Sequence, residues 1–346
     1  MKERTQSISI LRLFSTLMVF VFHFLTAYTE FGKKYFPMYF VVQVFLFLSG
    51  YLYGGKKIKS VKKFYAKNFV KILLPAMVTL IIVGVAAIVI YLCGIRLTFS
   101  KTGLTGETYL SYGHYWFIGA ILFCYLITPI LWIIYEFRAC NKGNSKKAQA
   151  LEFFIVFLIL ADYFISLTGT QRLVTAYVCG FVFRKLKESR KITDIKLTLS
   201  LSSALIFVLT TVGCYFLSTH NKTLLTALMR ETTCLLLGVS LSVFVLTVFG
   251  DVKSKKENRF LNITDKYSYT FFLAHHFFVV ATFSELYKSV PSYLNFLISL
   301  SLTVFVAIIV DLICAPIIKK TVCAMEKNKK TIQDDLKQEL PQDKAA

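Results

Sequence analysis

Long apolar runs dominate this chain and constrain its fold more than any other feature. A helix needs about 20 mostly apolar residues to cross the hydrocarbon core of a bilayer. The chain contains ten runs that approach or exceed this length, and we therefore predict an all-α polytopic membrane protein with about ten transmembrane helices. The runs lie at 8–28, 36–54, 70–93, 114–135, 151–168, 172–184, 197–218, 224–249, 267–287 and 293–317.

The composition excludes a soluble protein of this length. Hydrophobic residues make up 56% and charged residues 17% of the 346 residues, whereas soluble domains average about 45–50% and about 25%. The apolar runs also leave no room for a soluble catalytic domain. We predict a membrane domain over 1–317, followed by a charged cytoplasmic tail over 318–346 that is solvated and partly disordered.

The basic residues predict how the chain is oriented, because cytoplasmic loops of membrane proteins carry an excess of Lys and Arg. With the N-terminus in the cytoplasm, the inner segments hold 30 of the 40 Lys and Arg residues and the outer loops hold six. Both termini are therefore predicted to be cytoplasmic. This distribution explains the net charge of +21 without a nucleic-acid partner, and it places basic loops beside anionic membrane lipids.

The first run contains two ionisable residues, Arg12 and His23, and such residues inside a span are functional candidates. Eleven residues at 100° each bring both side chains to one helix face, about 16 Å apart along the axis. Arg12 is suited to bind a phosphate or carboxylate from the cytoplasm, and His23 is suited to act as a general base. The structural alternatives are an Arg12 that snorkels to the interface and a His23 that hydrogen-bonds a neighbouring helix.

Two further pairs are candidates for a site. Lys67 and Lys71 lie one helical turn apart at the inner end of the third run, where they could hold a phosphorylated ligand. His275 and His276 are adjacent in the ninth run. Neighbouring residues of a helix point about 100° apart, so we expect at most one of these histidines to face the bundle core.

The remaining intramembrane charges favour structural roles. Asp162 and Asp311 need partners within the membrane, and Arg230 with Glu231 forms either a local charged pair or part of a core network. The eight cysteines show no Cys-x-x-Cys pair and no clustering with histidine at metal-ligand spacing. We therefore predict no metal site.

Five motifs occur in order along the chain and together resemble the bacterial acyltransferase-3 family, whose members O-acylate sugars of the cell envelope. The resemblance covers residues 8–317 and corresponds to a stand-alone form without an appended extracellular domain. The motifs are Arg12…His23, Gln43–Tyr51, Lys67–Pro75, His114–Pro129 and Tyr267–His276.

This resemblance implies an O-acyltransferase, most simply an O-acetyltransferase, in the bacterial cytoplasmic membrane. The donor would be acyl-CoA (acetyl-CoA) from the cytoplasm, and the acceptor a hydroxyl of a cell-surface glycan or of its lipid-linked sugar precursor, with no bound cofactor. His23 and Arg12 match the family's essential histidine and arginine, and Lys67 and Lys71 stand where members usually carry arginines.

Further candidate pocket residues come from the same motifs: Trp116, Ser268, His275 and His276. Two chemical routes are open. His23 could deprotonate the sugar hydroxyl as it attacks the thioester, or the acyl group could pass through a covalent enzyme intermediate.

The alternative function is a membrane transporter or exporter of polysaccharide or its precursors, since scattered intramembrane charges also suit a substrate path. Many transporters show a repeat between their two halves and matched pairs of helices broken by Gly or Pro. Neither pattern is visible in this sequence.

Overall fold

The computed structural model is all-helical over the residues that it describes. Nine α-helices have both ends described: α1 (Gln6–Tyr28), α2 (Phe40–Gly54), α3 (Val61–Leu92), α4 (Trp116–Cys140), α5 (Leu173–Glu188), α6 (Lys196–Ser218), α7 (Leu224–Val248), α8 (Arg259–Val279) and α9 (Ser292–Gln338). A 3₁₀ turn at Ser284–Tyr287 joins α8 to α9. The described residues are 6–29, 40–95, 115–140, 149, 153, 156–157, 159–162, 173–188, 196–218, 224–249, 258–280 and 283–338.

Six of these helices contain a stretch long and apolar enough to cross a membrane, judged by length and composition over the described residues. A shorter apolar helix, Phe40–Gly54, accompanies them. The multi-pass, all-α prediction is therefore confirmed, whereas the total of ten spans and the side of each terminus stay predictions. The predicted run at 151–168 lies largely outside the described residues. The six stretches are Gln6–Tyr28, Val61–Leu92, Trp116–Glu136, Lys196–Gly213, Glu231–Val248 and Ser292–Met325.

The third predicted run starts too late, because its helix begins at Val61 rather than near residue 70. Ser60 has extended backbone angles, and its side chain accepts a hydrogen bond from the amide of Lys63 at 3.5 Å. Such a cap starts a helix in polar sequence, where hydropathy gives no signal. Lys67 and Lys71 therefore lie within one continuous helix, as their spacing required.

The ninth run is misplaced at both ends. Its helix, α8, spans Arg259–Val279, with the side chain of Asn258 capping its first turn. Polar residues in the first two turns, Arg259, Asn262, Asp265 and Lys266, conceal the helix start from a search for apolar residues. The chain then leaves the helix before the 3₁₀ turn, so the predicted span contains a break.

The final helix, α9, continues to Gln338 and enters the predicted charged tail. The part of that tail up to Gln338 is therefore helical. No Gly or Pro occurs between Pro316 and Pro341, and the Lys, Glu, Gln and Ala residues in this stretch favour a helix. Residues 339–346 lie outside the described part of the chain.

The C-terminal half of helix α8 occupies the interior of the bundle. Every side chain from Thr270 to Val279 is buried, and the helix packs against α1, α3 and α9. A helix that is apolar on all sides is typical of a buried position. By contrast, Met77, Ile81 and Val85 on α3 are 56–61% exposed and form one stripe, as expected for a face toward lipid.

Two glycines allow α2 and α5 to touch backbone to backbone. A Cβ added at Gly50 would lie 2.0 Å from the Tyr177 carbonyl oxygen, and one added at Gly180 would lie 2.0 Å from the Phe47 carbonyl oxygen. Small residues at such contacts are typical of membrane helix pairs. This contact explains how the short sixth run, now α5, holds its place in the core.

The intramembrane carboxylates have structural partners, as predicted. Asp162 accepts hydrogen bonds from the amide nitrogen and the hydroxyl of Thr175, at 3.0 and 2.8 Å, and so caps the start of α5. Asp311 on α9 pairs with Lys266 on α8, with 2.7 Å between Oδ2 and Nζ. Glu231 is buried, whereas the side chain of Arg230 lies outside the described set.

Candidate active site

An ion pair joins the N-terminal halves of α1 and α8. The guanidinium Nη1 of Arg12 lies 2.6 Å from Oδ1 of Asp265. The Asp265 side chain is 3% exposed, whereas that of Arg12 is 27% exposed. One side of the guanidinium is therefore anchored in protein while the group remains accessible.

Three histidines form a cluster toward the other end of the same two helices. The ring centroid of His23 lies 5.2 Å from that of His275 and 5.2 Å from that of His276. His275 and His276 are 6.2 Å apart by the same measure and are both buried. His23 is partly buried, and its ring forms a nearly equilateral triangle with the other two.

The ion pair and the histidine cluster are the two ends of one contact between parallel helices. Between them, the ring of Phe20 on α1 packs 5.7 Å from that of Phe271 on α8. The residues in contact differ in number by an almost constant amount. The difference is 253 for Arg12 and Asp265, 251 for Phe20 and Phe271, and 253 for His23 and His276. The Arg12…His23 stripe on α1 therefore faces a matching Asp265…His276 stripe on α8.

A backbone hydrogen bond determines the tautomer of His275. Its Nδ1 lies 2.6 Å from the carbonyl oxygen of Phe272. A carbonyl only accepts hydrogen bonds, so Nδ1 must carry the proton in the neutral ring. Nε2 of His275 then has a lone pair, within a cluster that includes His23.

The expectation that at most one of His275 and His276 faces the core is wrong. Both are buried and both contact His23. The angle of 100° between them separates a core face from a lipid face only when a helix has one buried side. At this level α8 is enclosed on all sides, so both directions point into protein.

A cluster of buried and partly buried polar side chains lies near Arg12. The hydroxyl of Tyr53 donates to Oδ1 of Asn68 at 2.6 Å, and its ring packs 5.0 Å from that of Tyr125. The hydroxyl of Tyr125 lies 3.5 Å from that of Ser49. Both tyrosines lie close enough to Arg12 to feel its charge. Residues from α2, α3 and α4 thus place neutral hydrogen-bonding groups beside the cation.

Comparison with known families decides the class of this protein. A family model described as an acyltransferase domain matches residues 5–312. The chain belongs to the acyltransferase-3 family. No curated protein and no solved structure gives a match. Since its helices are long and apolar enough to span a bilayer, this acyltransferase is a multi-pass membrane protein.

The other predicted site residues of the acyltransferase are placed as follows. Lys67 is half-buried and Lys71 is exposed, on α3 on either side of the buried Asn68. Ser268 is buried, and its hydroxyl donates to the Asp265 carbonyl at 3.0 Å, so it braces α8 locally. Trp116 begins α4 and packs on Phe117, with 6.3 Å between ring centroids.

Sequence reasoning missed Asp265 as a site residue of the acyltransferase. Asp265 lies in a charged stretch of the sequence, 250–266, where a single carboxylate does not stand out. A signal was nevertheless present in the sequence, because the spacing from Asp265 to His276 equals the spacing of eleven positions from Arg12 to His23. The tyrosines beside Arg12 were missed because isolated aromatic residues are common in any membrane helix.

Proposed function

We propose that this acyltransferase is an O-acetyltransferase that moves the acetyl group of cytoplasmic acetyl-CoA to a hydroxyl of a surface polysaccharide or its lipid-linked precursor. The observation that carries this proposal is the paired stripe. It places a cation at one end and a cluster of proton acceptors at the other end of a single helix contact. We assign the reaction to the bacterial cytoplasmic membrane.

The length of the stripe suits the donor. The chain from the thioester sulfur of acyl-CoA to its nearest phosphorus has about thirteen bonds, which extend to about 15 Å at the reach of a peptide backbone. Arg12 and His23 are about 16 Å apart along α1. A CoA whose phosphates meet Arg12 can therefore bring its thioester close to His23.

Arg12 binds the phosphates in this proposal, because a guanidinium forms strong hydrogen bonds with anionic oxygens. Lys67 and Lys71 add positive charge at the same side of the membrane and help to retain the donor. The tyrosine hydroxyls near Arg12 offer further neutral contacts without competing for the anion.

His23 acts as the general base. It takes the proton of the sugar hydroxyl while the hydroxyl oxygen attacks the thioester carbonyl. The C–S bond then breaks, the CoA sulfur leaves as a thiolate, and the proton on His23 returns to that sulfur. Nε2 of His275 can accept a hydrogen bond from protonated His23 and so stabilise this state. The family membership favours this transfer over the transporter alternative.

The test uses two forms of the protein. His23→Ala should abolish CoA release from acetyl-CoA by purified enzyme with an acceptor glycan, and should remove O-acetyl groups from the surface polysaccharide of cells. Leu17→Ala is the matched control, because Leu17 is on the same helix and 43% exposed. A His23→Ala enzyme that remains in the membrane with unchanged acetylation would refute the assignment of the base.

A further inference from the structure

The carboxylate of Asp265 has no part in the chemistry just proposed, yet it touches the residue that we assign to donor binding. Its side chain is 3% exposed, and its Oδ1 lies 2.6 Å from Nη1 of Arg12. A buried carboxylate is costly unless it is paired and hydrogen-bonded. Arg12 supplies this pairing, so the burial of Asp265 and the orientation of Arg12 depend on each other.

The geometry of the guanidinium leaves room for two partners at once. Arg carries five N–H groups in a planar fork, and Asp265 takes one of them, at Nη1. The Arg12 side chain remains 27% exposed, so an anion can approach another edge of the fork. Asp265 thus fixes the plane of the group without covering it.

Fixing that plane benefits a binding site. A free Arg side chain loses much rotamer freedom when it binds a ligand. An Arg that is already held by a buried carboxylate has lost that freedom during folding. The ligand then meets a guanidinium whose position is set by α8 as well as by α1.

We propose that Asp265 is a positioning residue that holds Arg12 in the orientation needed to bind the phosphates of the acyl-CoA donor. This inference rests on the proposed function, since it takes acyl-CoA as the donor. Asp265 itself does not touch the donor. It acts through Arg12, and it is contributed by a helix 253 residues further along the chain.

The neighbouring pair supplies a matched control. Lys266, the next residue, joins α8 to Asp311 of α9 at 2.7 Å, with 49% of the lysine side chain exposed. Asp311→Asn removes a carboxylate that bonds the same turn of α8 but leaves Arg12 untouched. If Asp265→Asn acts only by loosening α8, it should change CoA binding no more than Asp311→Asn does. If it acts by releasing Arg12, it should weaken CoA binding more.

The experiment measures the Kd of CoA by calorimetry on the purified full-length protein in lipid nanodiscs. Loss of a hydrogen bond to a charged group should weaken CoA binding about tenfold in Asp265→Asn. Asp265→Glu, which keeps the charge, should recover most of this loss, and Asp311→Asn should stay within about twofold of the wild type.

A second comparison separates positioning from general stability. Arg12→Gln should itself weaken CoA binding, and adding Asp265→Asn to it should change the Kd by no more than about twofold, because the residue through which Asp265 acts is gone. The double variant leaves no unpaired buried charge, so its Kd can be compared directly with that of the wild type if either single variant does not fold.

The inference is overturned if Asp265→Asn binds CoA as well as or better than the wild type. A further large loss in the Arg12→Gln background would also overturn it, because Asp265 would then act independently of Arg12. If the wild-type protein does not bind CoA, the proposed donor itself is wrong and this inference falls with it.

Discussion

The contact between α2 and α5 makes the sharpest prediction about how this bundle is held together. Replacing Gly180 by Ala places a Cβ 2.0 Å from the carbonyl oxygen of Phe47, where real Cβ contacts lie at 3.0 Å or more. The obstacle is backbone, which cannot rotate away as a side chain would. The helices must separate by about 1 Å, and a gap of 0.5–1 Å already loses a quarter to a half of the dispersion energy of each contact.

The expected cost is at or above the upper end of the range for overpacking, about 3 kcal/mol. At about 2 °C per kcal/mol for a chain of this size, the apparent Tm should fall by about 6 °C or more. Activity should fall as well, because α2 carries Ser49 and Tyr53 in the polar group beside Arg12.

The measurement is thermal unfolding of purified Gly180→Ala in one detergent, followed by CoA release at a temperature where the protein is folded. Gly119→Ala is the matched control, because a Cβ there meets nothing within 4 Å. That substitution should be neutral or stabilising by up to about 1 kcal/mol, since Ala favours a helix over Gly. Equal Tm values for the two variants would refute the packing argument.

Three further predictions address the site, a helix cap and the topology. His275→Gln should lower kcat by about tenfold or more with little change in the KM for acetyl-CoA, because it removes an imidazole next to His23 that is remote from the phosphates; a raised KM with normal kcat would contradict this. Asp162→Ala should destabilise the protein by about 1 kcal/mol through loss of the α5 cap while kcat is kept, as measured by Tm and CoA release. Cys93 and Cys323 are both exposed, and an impermeant maleimide applied to intact cells should lose a labelling site in Cys93→Ser but not in Cys323→Ser if the predicted orientation is right.

Much of the local architecture could be predicted because the bilayer imposes a simple rule on each helix separately. A spanning segment needs a long apolar run, and such runs are visible one at a time. The Arg12…His23 stripe was predictable for the same reason, since the periodicity of a single helix places both side chains on one face. The start of α8 was not, because Asp265 and its polar neighbours break the apolar pattern.

Which helices pack against each other could not be predicted by such rules. Hydropathy states that a helix is apolar but not which helix lies beside it. The prediction for His275 and His276 failed for this reason, since it assumed one buried face for α8. The partner of Arg12 was hidden likewise, because residues 253 positions apart have no local relation.

The sequence by itself therefore determined the membrane class, the apolar helices and the stripe on α1, since each depends only on the spacing of residues within one helix. The tertiary structure alone decided that α1 and α8 run in parallel, with Arg12 against Asp265 and His23 in contact with both His275 and His276. Close backbone approach at glycines and enclosure of α8 by its neighbours brought these groups together. Such packing depends on the shapes of whole helices, which no single segment encodes.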